Sequence, residues 1–211
     1  MKRIIAVLSL VLVLALSLTA CSGKKDHKAS AKNFEYGNLS ITLTESFVPG
    51  KTNPSRDVFA TNENGIVKDE KGHNVVIGIT YTSTSGTSVT IEKISTVITA
   101  ENDMANLKAM YPDEAAMKPN NVKGTLTIHT HGETNDKVVS ATNGARYYVF
   151  TLNADGGKYV YLKAFMKNGD YAYSITFSTT EDAYSKEEYN KHFITWLNSA
   201  TITLPSTSAD Q

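Results

Sequence analysis

The stretch KYVYLKAFMKNGDYAYSITFST, residues 158–179, decides the fold. It is two runs of β-branched and aromatic residues separated by Asn168-Gly169. Asn-Gly between such runs is the strongest short-range hairpin signal, because the favoured type I′ turn needs positive φ at both loop positions. With those two residues as the loop, Lys167 pairs with Asp170, and Val160, Leu162 and Ala164 fall opposite Phe177, Ile175 and Tyr173. Successive strand side chains point to opposite sides, so Tyr159, Tyr161 and Phe165 belong to the second face. Upstream, RYYVFTLN (146–153) reads as a third strand, joined through Asp155-Gly156-Gly157, and it adds Phe150 and Leu152 to that second face. A sheet with one wet side shows polar residues there. This meander is apolar or aromatic on both sides, so each side needs a cover.

The rest of the chain supplies further strands. LSITLT (39–44) alternates, with Leu39, Ile41 and Leu43 on one face. DVFAT (57–61) and NVVIGITYT (74–82) read as strands, the second central because its apolar stretch is continuous. GTLTIHTH (124–131) alternates again. The covers are helices. Ser185 and Glu188 have capping-box spacing, with Tyr184 and Tyr189 as a hydrophobic staple. Tyr189, Phe193, Trp196, Leu197 and Ala200 then form one stripe. A second helix is expected within VTIEKISTVITAENDMANLKAMY (89–111), where Ile91, Ile94, Val97, Ile98, Met104, Leu107 and Met110 recur near helical spacing. Its end falls at Tyr111, since the residue before proline avoids the α region. The expected class is α+β: an antiparallel sheet flanked by helices on both faces.

Outside this domain the N-terminus carries its own signal. Lys2 and Arg3 precede the apolar run IIAVLSLVLVLALSLTA (4–20), the layout of a secretory signal. The run closes on Leu18-Thr19-Ala20-Cys21, which resembles the lipobox of bacterial lipoproteins: a branched apolar residue, two small ones, then cysteine. That resemblance implies cleavage before Cys21, a diacylglyceryl thioether on its sulfur, and attachment to the outer side of a membrane. Each buried methylene contributes about 0.8 kcal/mol, and stable anchoring takes two acyl chains. Cys21 is the sole cysteine. The mature chain therefore has no internal disulfide and no thiolate catalysis.

The expected organisation is a signal peptide over 1–20, a lipidated cysteine with a basic tether over 21–33, one globular domain over 34–204, and a frayed tail over 205–211. The tether, with Lys24, Lys25, Lys28 and Lys32 against Asp26, lacks apolar periodicity. Taking Lys2, Arg3, those four lysines and Asp26 from 21 basic and 21 acidic residues leaves 15 and 20, a net charge of −5. An acidic domain whose arginines are Arg56 and Arg146 is a poor partner for nucleic acid.

FEYGNLSITLTESF (34–47), KNGDYAYSITFS (167–178) and FITWLNSATI (193–202) together resemble the PsbP-like family. The resemblance spans residues 34–204 and implies a PsbP-like sandwich. Its marks are strand and helix patterns, and no ligand-binding residue of the family maps onto a position here.

Chemistry-bearing motifs are sparse. The sequence contains no Gly-Lys-Ser/Thr phosphate loop, no G-x-G-x-x-G and no G-x-S-x-G elbow. His129, His131 and Glu133 lie two apart, share one strand face, and form a candidate zinc or copper site, with His73 or His192 as a fourth ligand. Tyr148, Tyr159, Tyr161 and Phe165 form a candidate aromatic surface for sugar rings or peptides, or else core beneath a helix. No catalytic residue and no cofactor is expected. The leading expectation is a non-enzymatic, membrane-anchored module that assists an envelope protein, held to the bilayer through acylated Cys21. The alternatives are a small-solute or metal-binding lipoprotein feeding a transporter, and an envelope hydrolase.

Overall fold

Alternation along the strands sets the layers. The computed structural model describes residues 32–43, 55–62, 65–83, 85–111, 124–129, 137–154, 157–186 and 189–205. The signal, Cys21 and most of the tether lie outside these residues. In chain order the strands are β1 (Lys32–Tyr36), β2 (Leu39–Leu43), β3 (Arg56–Phe59), β4 (Thr61–Asn62), β5 (Gly65–Ile66), β6 (Val76–Thr82) and β7 (Ser88–Lys93). Helix α1 (Ala100–Met110) follows, then β8 (Gly124–His129), β9 (Val139–Ser140), β10 (Arg146–Ala154), β11 (Gly157–Asn168) and β12 (Tyr171–Thr180). The chain closes with α2 (Glu181–Lys186), α3 (Tyr189–Ser199) and β13 (Thr201–Ile202). Because β1 begins at Lys32, the expected tether is two residues too long at its C-terminal end.

Among the described residues the main sheet runs β3-β6-β7-β12-β11-β10-β8, with β9 also on β10. Each of these pairings is antiparallel. A three-stranded sheet, β1-β2-β13, is separate. The sheet thus matches the expected antiparallel α+β class, although strands dominate and one cover is itself partly a sheet. β6 is interior, as expected, but only one strand from the edge.

Two cores follow from the two-sided meander. On one face Val149, Leu162, Ile175, Phe177 and Ile91 join Leu39, Ile41 and Leu43 of β2 and the stripe of α3. Tyr189, Phe193, Trp196 and Leu197 of that stripe are fully buried, and Phe177 stacks on Phe193 with ring centroids 5.2 Å apart. Asn143 caps the end of α3, donating through Nδ2 to the carbonyls of Leu197 and Ala200 at 2.7 and 2.9 Å. On the opposite face Tyr148, Phe150, Phe165 and Ile128 pack with Ala100 and Leu107 of α1. Fully burying each such side chain contributes about 1.5–3 kcal/mol.

Three local expectations fail: Ser185, expected to cap the last helix, lies inside α2, and α3 begins at Tyr189; the other two each have a physical reason. The hairpin pairs Asn168 with Tyr171, so the loop is Gly169-Asp170 and the ladder is slipped by two residues from the expected register. Leu162 opposes Phe177, and Ala164 opposes Ile175. Gly169 has φ +57°, which suits the first loop position of a primed turn. The helix expected across 89–111 is strand β7 followed by α1. Val89 and Ile91 satisfy a period of two and point into the first core, while Thr99 caps α1 by accepting a bond from the Asn102 amide at 3.2 Å.

Gly78 in β6 has no room for a side chain. A β-carbon there would meet the Ile91 carbonyl oxygen and lie 2.9 Å from Glu92 Cγ. Gly78→Ala should therefore destabilise the protein by about 1–3 kcal/mol, the usual penalty of overpacking. Urea denaturation followed by Trp196 fluorescence measures this; an unchanged midpoint would contradict the contact.

Candidate functional site

The ionisable side chains converge where α1 meets β10, β11 and β7. Asp103 sits in the first turn of α1 and is buried. Lys163 Nζ lies 3.0 Å from each of its carboxylate oxygens, and the Tyr148 hydroxyl donates to Oδ2. The Lys163 side chain is 13% exposed and also lies 5.5 Å above the Phe165 ring. Burial first, and then the Asp103 charge, push the Tyr148 phenol far above its ordinary value. Tyr148 therefore stays protonated and serves as a donor, not as a base.

Glu92 of β7 lies across Gly78 and accepts a bond from Ser174 Oγ at 3.2 Å. Burial raises its pKa above the usual carboxyl range, with Lys163 and the Ser174 bond pulling the other way. Ser174 is itself buried and donates directly to this carboxylate. At the rim, Arg146 holds Glu101 of α1 through Nη2 at 2.6 Å and bonds Ser140 through Nη1 at 2.7 Å. The Arg146 bond holds the Glu101 carboxyl below its usual value.

The expected aromatic surface takes a different form. Tyr148 and Phe165 are buried under α1. Tyr161 is partly buried, stacks on Phe150 at 4.8 Å, and has its hydroxyl pKa pushed up to about 12 by burial. Only Tyr159 is substantially exposed, at 36%. The four are thus mostly core, as a helix laid over an aromatic strand face requires, and not one open platform.

Of the expected metal ligands, His129 ends β8 at the register position opposite Val149. His131 and Glu133 lie outside the described residues. His192 stacks on Trp196 at 5.7 Å and His73 sits 3.5 Å from Asp69, each engaged at its own place. No group of three or more ligating side chains that could hold a metal occurs among the described residues. Sequence reading missed the Asp103–Lys163–Tyr148 cluster, whose members are 45 and 60 residues apart; the one local sign was an acid in the first turn of α1.

Breaking the cluster should show how much of α1 docking it carries. Asp103→Ala strands a largely buried ammonium and should lower stability by about 3 kcal/mol, against about 1 kcal/mol for Tyr148→Phe; equal urea midpoints would refute the ranking. Glu92 allows a second, pH-resolved measurement. Its raised folded pKa means that protonation favours the fold; this stabilisation is complete below the unfolded value of about 4.3 and is lost as pH rises through the folded value. Glu92→Gln should hence exceed the wild type in urea midpoint at neutral pH and converge with it in acid. A wild-type advantage at neutral pH would reverse the sign and defeat the argument.

Comparison with family models gives no match, and comparison with curated proteins gives none either. Among solved structures the chain is similar to the solution structure of cyanobacterial PsbP (CyanoP) from Synechocystis, with 13% identity and a TM-score of 0.49, over 88% of this chain and 99% of that one. It is also similar to LpqN of Mycobacterium tuberculosis, involved in cell envelope biogenesis, with 12% identity and a TM-score of 0.31, over 80% of this chain and 93% of that one.

Proposed function

We propose that the chain is a lipid-anchored, extracytoplasmic accessory module of PsbP-like fold that assists an envelope protein or complex without catalysing a reaction. The observation that carries this is Leu18-Thr19-Ala20-Cys21 at the close of the apolar run, with the chain's sole cysteine at the acylation position. In this reading α1 and α3 are the helical covers of the sandwich. The bilayer is the first partner, reached through Cys21.

Support for a non-catalytic role comes from the polar cluster. Asp103 and Lys163 neutralise each other, and burial together with its carboxylate partner keeps Tyr148 protonated. Groups committed to one another dock a helix; a catalytic centre would leave one of them facing a substrate. No described helix is long and apolar enough to cross a membrane.

Native mass spectrometry of the protein extracted from bacterial envelopes in mild detergent tests both halves of the reading. The expected species starts at residue 21, carries an acyl mass there, and travels with a reproducible protein partner. Cys21→Ser should lose the acyl mass. A wild-type protein with a bare Cys21 sinks the anchor, and an acylated protein that is always alone sinks the accessory role.

A further inference from the structure

The face that α1 shares is two surfaces, not one. Over β10 and β11 it is aromatic and lies with α1. Over β12, β7 and β6 that same side carries a block of hydroxyl-bearing residues. Ser178, Ser88 and Thr82 form one row across the ladder, and Thr176, Thr90 and Thr80 form the next. All but Thr80 are part-exposed. The first row continues into Tyr161 and the second into Lys163 on β11. One row further out, Thr180 pairs with the exposed Tyr159. On the other side the grid ends at Ser174, Glu92 and Gly78.

We propose that this hydroxyl grid, with Tyr159 at its corner, binds a neutral, extended glycan chain. The inference is independent of the lipid anchor and adds a ligand class to the accessory role. Each hydroxyl has one proton to donate and two lone pairs. Thr80 bonds Thr90 at 2.9 Å, and Thr82 bonds Ser88 at 3.3 Å. Each pair is thereby oriented and still keeps one donor and several acceptors for a ligand. Neighbouring strands are about 4.8 Å apart, comparable to the sugar-to-sugar rise of an extended β-linked glycan, so a chain crossing the strands meets a hydroxyl at each ring.

The borders of the grid fit the same ligand. Tyr159 offers an aromatic face for the C–H side of a sugar ring. It borders a shallow depression of about 390 Å³ shared with Gly157 and Thr180, and the Lys158–Glu181 ion pair stands on the rim at 2.7 Å. Glu92 can accept from sugar hydroxyls. The net charge of −5 on residues 33–211 disfavours polyanions; of the cations bordering the second row, Lys163 is already paired with Asp103, and Arg56 stands opposite Thr80 at the far end. Of the exposed large apolar side chains, Val76 and Tyr159 fall on this side, at separate corners. Two separated residues do not make the apolar centre of a protein interface.

The test uses the full chain in detergent, titrated calorimetrically with cellohexaose, chitohexaose and, as a charged control, polygalacturonate. At least one neutral hexasaccharide should bind and polygalacturonate should not. Thr90→Val with Thr176→Val keeps the β-branched shape and removes two hydroxyls; it should weaken binding about tenfold, the scale of one or two hydrogen bonds, in a protein that still folds by circular dichroism but melts somewhat lower, because Thr80 loses its Thr90 partner. Tyr159→Ala should weaken it independently. No binding of either neutral hexasaccharide at millimolar concentration overturns the proposal, as does equal binding by the valine pair. If that pair instead removes a protein partner in native mass spectrometry while sugar binding survives, the face is a protein interface and the proposal is wrong.

Discussion

Strand alternation is the constraint from which the rest follows. Along β10, β11 and β12 both sets of side chains include large apolar groups, so burying one face cannot satisfy the meander. Val149, Leu162 and Phe177 require the cover given by β2 and α3; Phe150, Tyr148 and Phe165 require that of α1. A two-layer arrangement would leave aromatic area in water at about 25 cal/mol per Å². Among the described residues the cover on that second face is one helix of 11 residues, α1.

That helix is the less securely covered side, and polar chemistry compensates. Few of its apolar residues are deeply buried, chiefly Ala100 and Leu107. Apolar contacts are non-directional and leave a short helix free to slide. Asp103, held by Lys163 and Tyr148 from two adjacent strands, admits one position only. Burying the charges costs desolvation energy that the pairing roughly offsets, so the gain is in register more than in stability. Arg146 reaching Glu101 repeats the tie at the rim, where solvent makes it weaker. Lys163 thus marks the border of the face: α1 on one side of it, hydroxyls on the other.

What could be read from the sequence was local, and what could not was non-local. The meander is legible because period-two alternation and a glycine turn occupy neighbouring positions. Its pairing is less so: either residue of Asn168-Gly169 can open the loop, and the resulting slip of two leaves every side chain on its expected face while displacing every opposing pair. Residues 89–111 mislead because Ile91 belongs to a period-two pair with Val89 and also lies three residues from Ile94, at helical spacing; Thr99 followed by Glu101 marks the true helix start. The stripe of α3 stands out because it is wide and aromatic. Tyr148 and Phe165 invite a surface role only while the helix above them is unplaced. The hydroxyl grid is invisible in one dimension, since each strand contributes just two or three members and only the strand order sets them side by side.

Glu92 and Gly78 break the usual economy of a sheet together. Glycine inside a strand loses about 0.5–1 kcal/mol in chain entropy, and a carboxylate shielded from water by its neighbours is held partly against its charge. Either could be replaced locally by an ordinary β-former, were the other absent. Their contact explains the coexistence, since only a residue without a β-carbon leaves space for the glutamate stem, but it does not explain why a carboxylate is there at all. Stability gives only part of a reason: Ser174 is buried and its hydroxyl bonds Glu92, but a neutral acceptor would satisfy it without the cost of burying a charge. Violations of local rules that no packing gain repays concentrate at functional positions. This one lies at the end of a hydroxyl grid, where a carboxyl acceptor complements a ligand rich in O–H donors.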